Sequence, residues 1–177
     1  MDGGTTCVAA DFSALPQPFP VPVLLVQHIS EGFIEGFMRW LGQMTGHPTT
    51  RHRQRGWSPA SGWLPAGRHL ALASRARIEL PPPRLGYPLP VGKRVVRVAG
   101  AQGASSLGIL LTGMGDDGAS GLLTLKKAGG HTIIQNEASA MIWGMPKCAK
   151  ELGAAKQELS PMEIVRVMMK AAGRISS

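Results

Sequence analysis

The stretch Ser106-Leu107-Gly108-Ile109-Leu110-Leu111-Thr112-Gly113-Met114-Gly115-Asp116-Asp117-Gly118-Ala119-Ser120-Gly121 constrains this chain more than any other. A short apolar run without helical spacing enters a glycine-rich turn with two adjacent aspartates, and Leu122 to Ala128 follow before Gly129-Gly130. The pattern predicts a buried strand, an exposed loop, a short helix and a glycine stop. A loop at the carboxyl end of a buried strand is where α/β proteins place their chemistry.

Three readings of that loop are open. Gly113 to Gly118 satisfies G-x-G-x-x-G, and Glu137 ends the next apolar run, as in a dinucleotide-binding domain. Such a loop aims backbone N–H groups and a helix N-terminus at a pyrophosphate, and two carboxylates in the turn would repel that anion. Alternatively, one aspartate is the orienting acid of a histidine-containing triad. Or the pair caps the helix, since Asp favours N-caps and first turns.

A chain of 177 residues, 44% hydrophobic, suits one compact domain, residues 1–177. Cys7 and Cys148 have neither CxxC nor metal-ligand spacing and are read as reduced residues of a cytoplasmic protein; no metal site is expected. Val23 to Val26 and Ile109 to Leu111 are too short to span a bilayer, so no membrane insertion is expected, and no signal segment is seen at the start of the sequence. The net charge of +8 admits an acidic partner. The basic residues are scattered, however, and Arg51-His52-Arg53-Gln54-Arg55 near Trp57 reads as a solvated loop. No nucleic-acid-binding signature accompanies the charge, so no nucleic acid is expected.

Along the chain, Met1 to Phe12 hold the pair Gly3-Gly4 and lead into a short helix with no strand before it. A proline-rich segment then delivers Val23 to His28, a buried parallel strand ending in Gln27-His28. A helix capped by Ser30 should bury Phe33, Phe37, Trp40, Leu41 and Met44. Gly46 to Gly67 read as loop, and Arg68 to Leu72 and Arg75 to Leu80 as short antiparallel strands. Pro81 to Val91 hold no element beyond an edge, and Val95 to Ala99 fit either helix or strand. His131 to Gln135 form another buried strand. Gly144-Met145-Pro146 open a helix closing near Gly153, and Ser160-Pro161-Met162-Glu163 make a capping box for a last helix with Ile164, Val167, Met168 and Ala171 buried.

Strands ending at His28, Thr112 and Gln135, interleaved with helices, imply an α/β fold: a doubly wound, mainly parallel sheet with helices on both faces and a small antiparallel β excursion. Parallel strands share a rim, so His28 and Asp117 are expected within reach of each other and of the turn at Met114.

At this point the motifs resemble a known family, the chemotaxis receptor methylesterases with a CheB-type protein-glutamate methylesterase catalytic domain. The matching pieces are Pro22 to Ile29 with Gly32-Phe33, Leu64 to His69, Ile109 to Ala119, and Gln135 to Ser139 through Gly144-Met145-Pro146, in family order over nearly the whole chain. The resemblance implies a hydrolase acting on glutamyl methyl esters of a chemoreceptor's cytoplasmic region through a Ser-His-Asp triad, without a cofactor. It assigns the base to His28, the orienting acid to Asp117 and an oxyanion-hole donor to the Met114 backbone N–H, with Gly3, Gly4, Gln27, Gly113 and Gly115 as substrate-loop candidates.

Three departures accompany it. The family's nucleophile lies in a Gly-Ala-Ser-Thr-Gly-Gly turn after a first strand; here Met1 stands in the serine's place and the first strand is expected to be missing, with low stability or partner-dependent folding as a consequence. Tyr87-Pro88-Leu89-Pro90-Val91-Gly92 replaces a His-Arg-Pro-Ser-Val-Asp segment. The family's receiver domain is also expected to be lacking. The implied functions are therefore a methylesterase-like hydrolase domain, with glutamine deamidation as a related activity, or a non-catalytic descendant binding a receptor, a receiver or a methyltransferase domain.

Overall fold

The computed structural model describes residues 12–17, 19–21, 23–25, 33–47, 49–51, 61–63, 70–74, 77–79, 96–98 and 104–173. In chain order the elements are β1 (Leu24–Leu25), α1 (Ile34–Thr45), β2 (Thr49–Arg51), β3 (Ser61–Trp63), β4 (Leu70–Ser74), β5 (Arg77–Glu79), β6 (Val96–Val98), β7 (Leu107–Leu110), α2 (Ala119–Lys127), β8 (His131–Gln135), a 3₁₀ turn (Glu137–Ser139), α3 (Gly144–Glu151), β9 (Gln157–Leu159) and α4 (Pro161–Gly173). The strands pair in the orders β1-β3-β2, β5-β4-β6 and β7-β8-β9. Among the described residues β4–β5 is antiparallel and every other strand pair is parallel, the α/β arrangement with a small antiparallel excursion that the pattern predicts. The expectation of a missing first strand falls on residues outside the described ones.

The chain divides into two compact units. One comprises Met1–Gln54, Ser58–Ala66 and Pro161–Ser177. In it α1 buries Phe37, Met38, Leu41 and Thr45. The helix starts later than a Ser30 cap would put it, with Phe33 at the N-cap and no side-chain bond there. Phe33 and Met44, expected inside, are 72% and 54% exposed because the buried stripe is rotated toward Met38 and Thr45. The Thr45 hydroxyl donates to the Leu41 carbonyl at 2.8 Å, which makes its burial inexpensive. Gly46 ends α1 at φ 70°, its N–H reaching the Gly42 carbonyl at 2.9 Å. Thr49–Arg51 and Ser61–Trp63, read as loop, are strands β2 and β3; at three residues each they are too short for periodicity to declare them. Pro161 opens α4 directly after Ser160, as expected, but the buried residues are Ile164, Val165, Met168 and Ala172 rather than the stripe through Val167 and Ala171.

The second unit, Arg55–Trp57 with Gly67–Ser160, carries the glycine-rich loop. Its β8 is the middle strand of β7-β8-β9 and is buried from Thr132 to Gln135, with Ile133 and Ile134 fully so. Burial on both faces is what a central parallel strand requires, and here it extends to the polar Thr132 and Gln135. Leu110, Ala119, Leu122, Ile134, Ala149 and Ala154 form its core cluster. Gly108 lies where a Cβ would stand 2.5 Å from Leu125 Cδ2 and 2.8 Å from Leu122 Cδ1, so α2 beds directly on β7. Gly129 at φ 89° and Gly130 close α2 by bonding back to Lys126 and Leu125, both at 3.0 Å, the stop expected of the pair. Val96–Val98, undecided by sequence, is strand β6, parallel to β4. Gln157–Leu159 was not foreseen: β9 is a short edge strand with two exposed polar residues, so it lacks an apolar signature.

Ile134→Ala should cost about 2–5 kcal/mol of unfolding free energy, because it leaves a cavity in the middle of the fully buried strand. Urea unfolding with an unchanged m-value checks this, and a loss below ~1 kcal/mol would contradict the core assignment.

Candidate active site

The loop after β7 is built by polar side chains that satisfy backbone groups the strand leaves open. Thr112 N–H donates to Gln135 Oε1 at 2.8 Å. Gln135, 1% exposed at the end of β8, turns its Nε2 to the Ser139 carbonyl at 3.0 Å and to Ser139 Oγ at 3.2 Å. Its own carbonyl accepts from Trp143 Nε1 at 2.9 Å. Thr112 Oγ1 donates to the Ile142 carbonyl and accepts from the Ile142 N–H, both at 2.9 Å. Gly113 N–H then reaches the Ile142 carbonyl at 3.0 Å, and the Gly113 carbonyl accepts from the N–H groups of Gly144 at 3.1 Å and Met145 at 2.9 Å. The loop after β7 and the segment entering α3 are thereby laced into one rim. Asn136 supports it, its side chain accepting from the Ser139 N–H at 3.2 Å and from the Ser139 hydroxyl.

On this rim Met114 is 82% exposed, and no hydrogen bond to its backbone N–H occurs among the described residues. Gly115 takes φ 92°, which a glycine tolerates where other residues would be strained. Asp116 is exposed and Asp117 half-buried. One Asp117 oxygen accepts from the Gly118 N–H at 3.0 Å. Gly118, at φ 82°, is the N-cap of α2 without a side-chain cap bond, and a Cβ there would meet Leu110 Cδ1 at 2.7 Å. The capping reading is thus corrected: neither aspartate occupies the cap position. Among the described residues no group of acidic, histidine or cysteine side chains could hold a metal ion.

The same bonds argue against the dinucleotide reading. The Gly118 N–H that would face a pyrophosphate is taken by the Asp117 carboxylate, and the Gly113 N–H by Ile142. Exposed Glu137 lies in the 3₁₀ turn after β8. Of the other candidates, Met1, Gly3, Gly4, Gln27 and His28 lie outside the described residues, and the expected meeting of His28 and Asp117 lies outside them too; among the described residues β1, before His28, and β7, before Asp117, belong to different three-stranded sheets. What sequence reading missed is the support: Thr112, Gln135 and Gly144. A lone polar residue ending a buried strand, as Gln135 does, was the available signal.

A half-buried aspartate and a backbone N–H with no hydrogen bond among the described residues lie in a loop at the carboxyl end of a parallel strand of an α/β fold. The chain belongs to the CheB methylesterase family, whose model matches residues 2–168. A protein-glutamate methylesterase/protein-glutamine glutaminase of Myxococcus xanthus is 40% identical over 157 residues, covering 88% of this chain and 44% of that protein. One of Methanospirillum hungatei is 39% identical over 170 residues, covering 94% and 49%. The chain spans about half the length of the curated relatives it matches. The CheB methylesterase catalytic domain of Thermotoga maritima shares the fold, with a TM-score of 0.72 at 21% identity over 95% of this chain and 93% of that one. No helix among the described residues is long and apolar enough to cross a membrane.

Two outcomes follow for the rim. Gln135→Leu removes the acceptor of a backbone N–H and a donor to a second loop, so unfolding free energy should fall by about 1–3 kcal/mol and Thr112 amide exchange should accelerate; unchanged stability and exchange would refute the role. Calorimetric titration with NAD, NADP and FAD should be silent, whereas micromolar binding lost on Gly115 substitution would restore the dinucleotide reading.

Proposed function

We propose that residues 1–177 form one protein-glutamate methylesterase domain of bacterial chemotaxis, acting on glutamyl methyl esters in the cytoplasmic region of a chemoreceptor. Glutamine deamidation in the same site accords with the names of the relatives. The observation that carries the reading is the family match, whose range includes the loop presenting Asp117 and Met114. In the proposed mechanism a serine attacks the ester carbonyl, His28 takes the serine proton and passes it to the departing methanol, and Asp117 fixes the imidazole. The Met114 N–H stabilises the tetrahedral oxyanion. Water, activated by His28, then releases the glutamate side chain.

Met1 stands where the family motif has its serine. For a chain that carries Met at that position, the second reading is a methylesterase-like module that binds a receptor or partner protein without turnover. Thr5, Thr6 and Cys7 are the nearby hydroxyl and thiol side chains in the sequence, each displaced by several residues from the motif position.

Loss of a triad member removes factors of roughly 10⁴ to 10⁶ in turnover. The 177-residue chain should therefore release methanol from methylated receptor barely above background. A version extended by a first strand and carrying serine at the motif position should regain a factor of that order, and His28→Ala should abolish it. Robust release by the unextended chain that vanishes in His28→Ala would assign the nucleophile to Thr5, Thr6 or Cys7. No release by the serine-bearing version would leave the binding module as the function.

A further inference from the structure

The Gly113 carbonyl and the Met114 N–H belong to one peptide unit, and a trans peptide points these two groups in opposite directions. The carbonyl is clamped by the first two N–H groups of α3, Gly144 at 3.1 Å and Met145 at 2.9 Å. Those donors belong to the set that a helix start leaves without intrahelical acceptors, and here one carbonyl serves both. With its oxygen fixed on α3, the peptide must direct the Met114 N–H away from α3, where no hydrogen bond among the described residues takes it up.

We propose that the α3 entry, locked to β7 by Thr112, is a positioning device that orients and polarises the Met114 N–H as an oxyanion donor. The inference rests on the methylesterase reading and deepens it. Thr112 and Gly144 are its positioning residues. The Thr112 hydroxyl bonds both the N–H and the carbonyl of Ile142 at 2.9 Å, fixing the segment two residues before α3. At Gly144 a Cβ would lie 2.8 Å from the Gly113 oxygen, 3.1 Å from Gly115 N and 3.2 Å from Met114 Cα, all of them backbone atoms that cannot swing aside. The bare α-carbon at 144 is what lets α3 reach the carbonyl. Two donors on that oxygen, at the positive end of a helix, draw electron density from the peptide and make its N–H a stronger donor than an isolated amide. A substrate-side loop would otherwise have to reorganise as the charge develops; here the orientation is set beforehand.

The sequence permits a direct test, because it contains two Gly-Met dipeptides, Gly113-Met114 and Gly144-Met145. Labelling the full chain with ¹³C-carbonyl glycine and ¹⁵N methionine therefore yields two carbonyl–amide correlation peaks, one for each half of the device. In the unsubstituted chain the Met145 amide should exchange slowly with solvent and the Met114 amide fast, with the Gly113 carbonyl shifted downfield by its two donors. Thr112→Val, which keeps the shape and loses the hydroxyl, should speed Met145 exchange at least about tenfold and move the Gly113 carbonyl upfield; Thr112→Ser should restore both. Gly144→Ala should do the same as Thr112→Val. In the serine-bearing version, Thr112→Val should lower kcat about 10- to 100-fold with KM little changed. Unchanged exchange and carbonyl shift in Thr112→Val and Gly144→Ala would overturn the clamp, and a loosened clamp with kcat intact would overturn its role in positioning the oxyanion donor. If the serine-bearing version is inactive, the methylesterase reading falls and the exchange data alone decide whether the clamp exists.

Discussion

The carboxyl end of β7 depends on one constraint: each backbone group left unpaired where the strand stops must find a partner within the rim. Gln135 meets it from the middle strand. It is buried, and both ends of its amide are used, one on the Thr112 N–H and the other on Ser139, while its own carbonyl takes the Trp143 indole. An apolar residue of similar size would fill the space and leave those groups orphaned. The loop after β8, the approach to α3 and the glycine-rich turn therefore share one set of bonds, and none can move without disturbing the others.

Packing beneath the rim uses the absence of side chains in the same way. Gly108 lets Leu122 and Leu125 of α2 settle on β7, and Gly118 lets the chain turn from loop to helix directly above Leu110. Both glycines serve close approach, and Gly118 also takes a left-handed conformation. On the far side Thr132, fully buried, donates to the Ala154 carbonyl at 2.8 Å and accepts from the Lys156 N–H at 3.2 Å, joining the exit from α3 to the middle strand. Lys126 reaches the Gly153 and Ala155 carbonyls at 2.7 and 3.0 Å, so the turn after α3 is held from the α2 side as well. The core of this unit is thus pinned by short polar bonds at both ends of its strands.

These observations change how the aspartate pair is understood. Asp117 bonds the Gly118 N–H, immediately before α2, so it lies at the helix start without serving as its cap. A carboxylate in that position gains from the positive end of the helix. Membership of the CheB methylesterase family gives that geometry its chemical context.

Sequence alone determined the class of fold, because the apolar runs at Ile109 to Leu111 and His131 to Gln135 lack helical spacing and are separated by a helix-length segment ending in Gly129-Gly130. It also singled out the loop from Gly113 to Gly118, since glycines and acids interrupt an apolar pattern visibly. It could not declare β2, β3 or β9, which are three residues long and owe their extended form to pairing with a neighbouring strand. Nor could it set the buried face of α1, where tertiary packing chose Met38 and Thr45 over Phe33 and Met44. The support of the rim was equally hidden: Thr112, Gln135 and Gly144 lie 23 residues apart from first to second, and Gly144 lies farther on still. Local pattern reports which way a residue faces within its own element; only the folded chain decides which distant backbone group it must satisfy.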